Sequence, residues 1–113
     1  MDKDTDIGKL SFTASESEKL FNQAVTLHQQ GKMVEAVRAY AQILSKEPRH
    51  PDIYNNLGVA LRTLGKLEAA VSCYRRALAY GPEAANVYSN LGNALRELAR
   101  FEEAEAAHNQ SVE

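Results

Sequence analysis

The stretch YNNLGVALRTLGK, beginning at Tyr54, returns as YSNLGNALRELAR at Tyr88, 34 residues further on. The same step links Asn56 to Asn90, Leu57 to Leu91, Gly58 to Gly92, Leu61 to Leu95 and Ala70 to Ala104. One step back lie Leu20, Asn22, Gln23, Ala24, Leu27 and Ala36, a worn copy in the same register, and Tyr40 pairs with Tyr74 as Pro48 pairs with Pro82. A fixed period between about 20 and 50 residues restricts the chain to stacked copies of one supersecondary unit.

Within a copy the apolar spacing is helical. Tyr54, Leu57, Gly58 and Leu61 fall at i, i+3, i+4 and i+7, one stripe of a helix. A second stripe runs through Leu67, Ala70, Val71, Tyr74, Ala77 and Leu78. Between them TLGK breaks the helix, with Gly65 placed to take the left-handed backbone that ends helices. Each copy is therefore expected to be two antiparallel helices. Gly58 and Ala70 are read as small residues that let helix backbones approach, while large side chains fill the rest. Six helices are predicted, over Glu16–Gln30, Met33–Lys46, Asp52–Leu64, Leu67–Tyr80, Ala84–Leu98 and Phe101–Val112. Pro48 and Pro82 are placed to stop the second helices, and Pro51 suits a first turn, where its missing N–H has no partner anyway. Ser15 with Glu18 matches a capping box. Ala99 stands where Gly65 stands one copy earlier, so a left-handed turn there costs about 1 kcal/mol.

Tyr54, Leu57, Gly58, Leu61, Gly65, Ala70, Tyr74, Ala77 and Pro82 together resemble the signature of the tetratricopeptide repeat. The resemblance covers residues 17–50, 51–84 and 85–113, after a leader over 1–15 expected to be flexible. It implies an all-α fold, an α-solenoid of three stacked helix-turn-helix hairpins wound as a right-handed superhelix. The first copy departs from the pattern at Ala24, where glycine is usual, and at Ile43, where a small residue is usual. The third departs at Ala99, His108 and Ser111 and stops before its closing proline. One copy cannot bury its own stripe, and about three are needed for stability. Terminal copies should be polar on the outside, and the last helix, FEEAEAAHNQSVE, is polar and Ala-rich. It ends mid-copy, which points to a piece of a longer array.

Composition narrows the function. The net charge of −2 argues against general binding to nucleic acid or to anionic membranes. No apolar run approaches the about 20 residues of a membrane span, and the start, MDKDTDIGKLSFTASE, has no signal-peptide core. A single cysteine, Cys73, excludes an internal disulfide and a cysteine-cluster zinc site. A cytoplasmic protein is expected.

No catalytic constellation emerges. His28, His50 and His108 have no metal-ligand spacing among them. His108 takes the place of Tyr74 and is read as a packing residue. Cys73 falls among packing residues with no base fixed beside it. There is no G-x-S-x-G elbow. The glycines of LGVALRTLGK lie on and after a helix, not between a strand and a helix. Arg75 and Arg76 diverge by about 100° around a helix, as a solvated face would. The chain is expected not to be an enzyme and to need no cofactor or metal.

A different stripe of each first helix is left over: Asp52, Asn55, Asn56, Val59, Arg62 and Thr63 in the second copy. In the third it is Asn86, Ser89, Asn90, Asn93, Arg96 and Glu97, and in the first Glu18, Phe21, Asn22, Val25, His28 and Gln29. The family resemblance implies that this stripe lines a concave groove where extended peptides lie. Asn22, Asn56 and Asn90 recur at the repeat spacing, and an asparagine amide offers both a donor and an acceptor to a peptide backbone. Such a ladder is similar to those of O-linked N-acetylglucosamine transferases and of bacterial proteins that join these repeats to a glycosyltransferase. Bonding to neighbouring loops or helix ends is the alternative for these residues. Arg62 and Arg96 form a second row, open either to acidic ligands or to pairing with nearby carboxylates. Relatives that grip a C-terminal carboxylate use a Lys and an Asn, an Asn, then a Lys and an Arg, at positions that here are Phe21, Val25, Asn56, Asn86 and Asn90. Only Asn56 matches, so that mode is not expected.

The reading is a protein-interaction module that binds an extended peptide through Asn22, Asn56 and Asn90 with Asn55, Val59, Arg62, Asn86, Asn93 and Arg96. The alternatives are an array that self-associates through uncapped ends, with Leu98, Phe101 and Val112 exposed, and a substrate-recruiting segment of a larger glycosyltransferase-type enzyme.

Overall fold

The computed structural model describes residues 14–81 and 84–111. Within them the chain is all helix and turn. The helices are α1 (Ala14–Gln29), α2 (Met33–Leu44), α3 (Pro51–Thr63), α4 (Leu67–Tyr80), α5 (Ala85–Glu97) and α6 (Phe101–Ser111). They pack as three hairpins, α1 on α2, α3 on α4 and α5 on α6, and each second helix also packs against the first helix of the next hairpin. The 34-residue period thus becomes a stack.

The turn inside each hairpin is the same device three times. Gly31 and Gly65 take φ of 79° and 81°, and Ala99 takes 63°. In the second hairpin the Gly65 N–H donates to the Arg62 carbonyl at 2.9 Å and the Lys66 N–H to the Leu61 carbonyl at 2.9 Å. The pairs Gly31–His28 with Lys32–Leu27, and Ala99–Arg96 with Arg100–Leu95, repeat it. This is the Schellman closure, which satisfies carbonyls that the helix end would leave open. The strained alanine expected at position 99 is present.

Helix ends differ from the sequence reading by one or two residues. Pro51 rather than Asp52 opens α3, at the position where a proline loses no hydrogen bond. α2 stops at Leu44, where the Lys46 and Glu47 N–H groups both turn back to the Ile43 carbonyl. Pro48 biases the preceding residue away from helix, so the last turn cannot continue. α1 begins at Ala14. The Ser15 side chain, Pro82 and Val112 lie outside the described residues.

Gly58 has a different task from the one expected. A Cβ on Gly58 would lie 2.6 Å from Cε1 of Tyr74. What approaches is the aromatic ring of α4, not a helix backbone, and that ring is wholly buried. Gly92 is related to His108 in the same way, at 2.7 Å from Nε2.

Burial follows the stack. Ile53, Leu57 and Ala60 of α3 are buried, and the first two share one cluster with Ala36, Tyr40 and Ile43 of α2. Val87, Leu91 and Ala94 of α5 are covered from α4, with Ala70, Val71, Tyr74 and Ala77. Full burial of a side chain such as Ile53 stabilises the stack by roughly 2 kcal/mol. One period earlier the equivalent residues of α1 are Lys19, Gln23 and Thr26, all exposed. These three, with Asn22 and Leu27, line an open depression of about 470 Å³. The outer face of α1 therefore carries polar-tipped side chains where the matching faces of α3 and α5 carry aliphatic ones, although the depression itself is lined largely by carbon. At the far end, Phe101 is 63% exposed, and α6 buries only Ala104 and Ala107.

Candidate functional site

The first helices carry the leftover stripe, and two side-chain bonds place α3 and α5 side by side. The Asn90 Nδ2 donates to the Asn55 Oδ1 at 3.0 Å. Two turns further along the same pair of helices, the Arg62 Nε donates to the Glu97 Oε1 at 2.6 Å. Asn55, Asn56, Asn90 and Asn93 are half-buried and Asn86 is exposed, so the amides stand at the surface without being lost in the core. Val59, also half-buried, packs with Leu61 against the apolar cluster that joins α4 to α5.

The three repeat-spaced asparagines sit in three different environments. Asn22 is exposed and lies at the depression on the outer face of α1. Asn56 lies towards the hydroxyl of Tyr40, whose ionisation burial pushes up and the nearby amide pulls back. Asn90 turns to Asn55. The difference has a local cause. One period before the Asn55–Asn90 pair the equivalent positions are Phe21 and Asn56, and a phenylalanine offers an amide no acceptor. Across from Asn90 stands Asn55, which captures it. The hydroxyl of Tyr74, one period after Tyr40, is then buried with no partner. Burial drives its pKa to about 12, although the charge of Arg62 works against that.

The second row divides as well. Arg62 is held charged chiefly by its bond to Glu97, which is the carboxylate pairing weighed above. Arg96 is exposed, and its Nη2 donates to the His108 Nε2 at 2.7 Å. That contact requires Nε2 to be the unprotonated ring nitrogen. In the first hairpin the same pair of positions is His28 and Tyr40, with the ring nitrogen Nδ1 3.1 Å from the hydroxyl. Positions 28 and 96 thus tie a first helix to its own second helix, whereas position 62 reaches across to the next hairpin. Cys73 is buried, and burial pushes its thiol away from the reactive thiolate, with the Arg76 charge as a weaker opposing influence.

The sequence reading did not anticipate the Asn55–Asn90 bond or the cavity at the start of the stripe. That cavity, about 370 Å³, lies where the first turns of α1 and α3 meet the loop after α2. Phe21 and His50 stack across it with centroids 6.4 Å apart. His50, read from sequence as a linker residue, owes its place to Pro51, which fixes the backbone next to it. Among the described residues there is no group of three or more His, Cys, Asp or Glu that could hold a metal ion, and no helix is long and apolar enough to cross a membrane.

A tetratricopeptide-repeat family model matches residues 15–80 and 53–113. The chain belongs to the tetratricopeptide-repeat family. The first such domain of Spaghetti (RPAP3), bound to the HSP90 peptide SRMEEVD, is 25% identical, with a TM-score of 0.84 over 88% of this chain and 79% of that one. The corresponding domain of Sgt2 from Aspergillus fumigatus is also 25% identical, with a TM-score of 0.83 over 91% of this chain and 68% of that one. A point mutant of MamA, 22% identical with a TM-score of 0.81 over 90% of this chain and 74% of that one, shares the fold. No curated protein sequence matches the chain.

Proposed function

We propose that this domain is a protein-interaction module that binds an extended peptide along the stripe of α1, α3 and α5. The observation that carries the reading is the row of amides on α3 and α5, Asn55, Asn56, Asn86, Asn90 and Asn93, none of them buried. Each offers a donor and an acceptor that match a peptide group irrespective of its side chain. The likeness to a domain of the same family bound to a peptide adds to this. That peptide ends in two glutamates, a valine and an aspartate. The stripe here has Phe21, Val25, Asn56, Asn86 and Asn90 at the positions that would grip a terminal carboxylate, with no lysine or arginine among them. The partner is therefore held by its backbone rather than by a charged C-terminus. The resemblance of the asparagines to those of glycosyltransferase-linked arrays finds no support among these relatives. Self-association by end-to-end stacking is less favoured at one end, because Lys19, Gln23 and Thr26 put polar side chains where α3 presents Ile53, Leu57 and Ala60.

The test is a selection of octapeptides from a random display library on the full chain, followed by titration of a selected peptide. Asn56→Ala with Asn90→Ala removes two amide bonds of about 0.5–1.5 kcal/mol each, so binding should weaken by about tenfold while the helical circular dichroism persists. An unchanged affinity would reject the amide row as the binding surface.

A further inference from the structure

The cavity between α1, α2 and α3 has a chemistry that backbone recognition does not use. Its floor is apolar: Ile43 and Ile53 are almost wholly buried, and the Phe21–His50 stack forms one wall. Its rim is acidic, with Glu18, Glu47 and Asp52 among the lining residues and no lysine or arginine. Lys19, Lys46 and Arg49, which adjoin Glu18, Glu47 and His50 in sequence, are exposed and do not line it. Glu47 accepts a bond from the Ser17 hydroxyl, which leaves its remaining lone pairs open. Among the described residues no cation pairs with Glu18, Glu47 or Asp52. The imidazole Nδ1 of His50 is shielded from solvent and has no partner.

Glu18, Phe21 and Asp52 also belong to the leftover stripe, so the cavity opens onto the surface proposed for the peptide. An apolar channel with an anionic rim fits one kind of side chain, an aliphatic stem ending in a cation. A carboxylate side chain would meet three like charges. A purely aliphatic one would fill the floor and leave the rim unpaired. We propose that this cavity is a subsite for an arginine or lysine side chain of the bound peptide, which makes the preferred partner a basic segment. This deepens the proposed function and rests on it for the rest of the peptide. The relative's peptide, by contrast, is mainly acidic, with two glutamates and an aspartate beside a single arginine.

Nuclear magnetic resonance on the isotopically labelled full chain tests the subsite directly. The probes are capped single amino acids, N-acetyl-arginine methylamide, its norleucine analogue and its glutamate analogue. Three octapeptides, alanine-based with one arginine, norleucine or glutamate, are added separately. The arginine probes should shift the ring signals of Phe21 and His50, and the arginine octapeptide should bind about tenfold more tightly than the norleucine one, the effect of one charge-assisted bond. Glu18→Gln with Asp52→Asn should abolish that preference and leave norleucine binding unchanged. Equal binding of arginine and norleucine probes, or tighter binding of glutamate, overturns the subsite. The two readings separate cleanly. If all octapeptides shift the amides of Asn55, Asn56 and Asn90 without an arginine preference, the amide row stands and the subsite falls. If capped arginine shifts Phe21 and His50 while no octapeptide moves those amides, the subsite stands and the amide row falls.

Discussion

The three hairpin turns give a measurement in which the chain supplies its own control. Gly65 and Ala99 occupy the same turn one period apart, at φ of 81° and 63°, with the same pair of closing hydrogen bonds. A Cβ built on Gly65 meets nothing within 4 Å, so Gly65→Ala introduces no clash and its cost is purely conformational. The left-handed backbone penalises an L-residue by about 1–2 kcal/mol. Alanine also has a less disordered unfolded state than glycine, which returns about 0.4–1 kcal/mol. The net expectation is destabilisation by about 1 kcal/mol for Gly65→Ala and stabilisation by about 1 kcal/mol for Ala99→Gly. Ala99 is exposed, so the methyl it loses had little to contribute to packing. For a chain of this length 1 kcal/mol corresponds to a midpoint shift of about 4 °C. Thermal and urea unfolding of the full chain, followed by helical circular dichroism, read both variants against the parent. The two shifts should have opposite signs and similar size. If Gly65→Ala leaves the midpoint unchanged, or Ala99→Gly lowers it, the turn conformation is not what limits this residue choice.

The two buried tyrosines should respond differently to losing their hydroxyls. Tyr40→Phe breaks the hydroxyl's bond to His28 and should destabilise by about 1 kcal/mol. Tyr74→Phe removes a hydroxyl with no partner and should be neutral or slightly stabilising in the same urea titration; in an Asn55→Ala background, where Asn90 is released towards Tyr74, it should become costly. Acid sensitivity should reside partly in Glu103, whose carboxyl is drawn down to about 2 by its bond to Arg100 first and to Arg75 second. Its folded value lies below the ordinary 4.5, so its contribution is present above that pH and is lost as the pH falls towards about 2. Glu103→Gln should therefore flatten the fall in urea midpoint between neutral and acidic pH, and added salt should shrink the difference because the group is exposed.

Much of the fold was already written in the spacing. A 34-residue period with helical stripes and a breaker between them leaves stacked hairpins as the way to bury Tyr54, Leu57 and Leu61, and the position of Ala99 announced a strained turn. These are local properties: a period, a stripe and a backbone preference depend on residues near one another in the chain. The partners of side chains across the stack depend on more. Whether Asn56 or Asn90 faces a ligand, a tyrosine or another asparagine depends on the residue opposite, Phe21 in one interval and Asn55 in the next. That residue belongs to another hairpin, one period or so away in the chain. The same holds for the bond from Arg62 to Glu97, and for the acidic cavity assembled from α1, α3 and the loop after α2. Repetition of sequence set the architecture because every copy buries the same stripe. The side-chain partners along the stripe were settled only in the tertiary structure, because there each copy meets a neighbour with a different side chain.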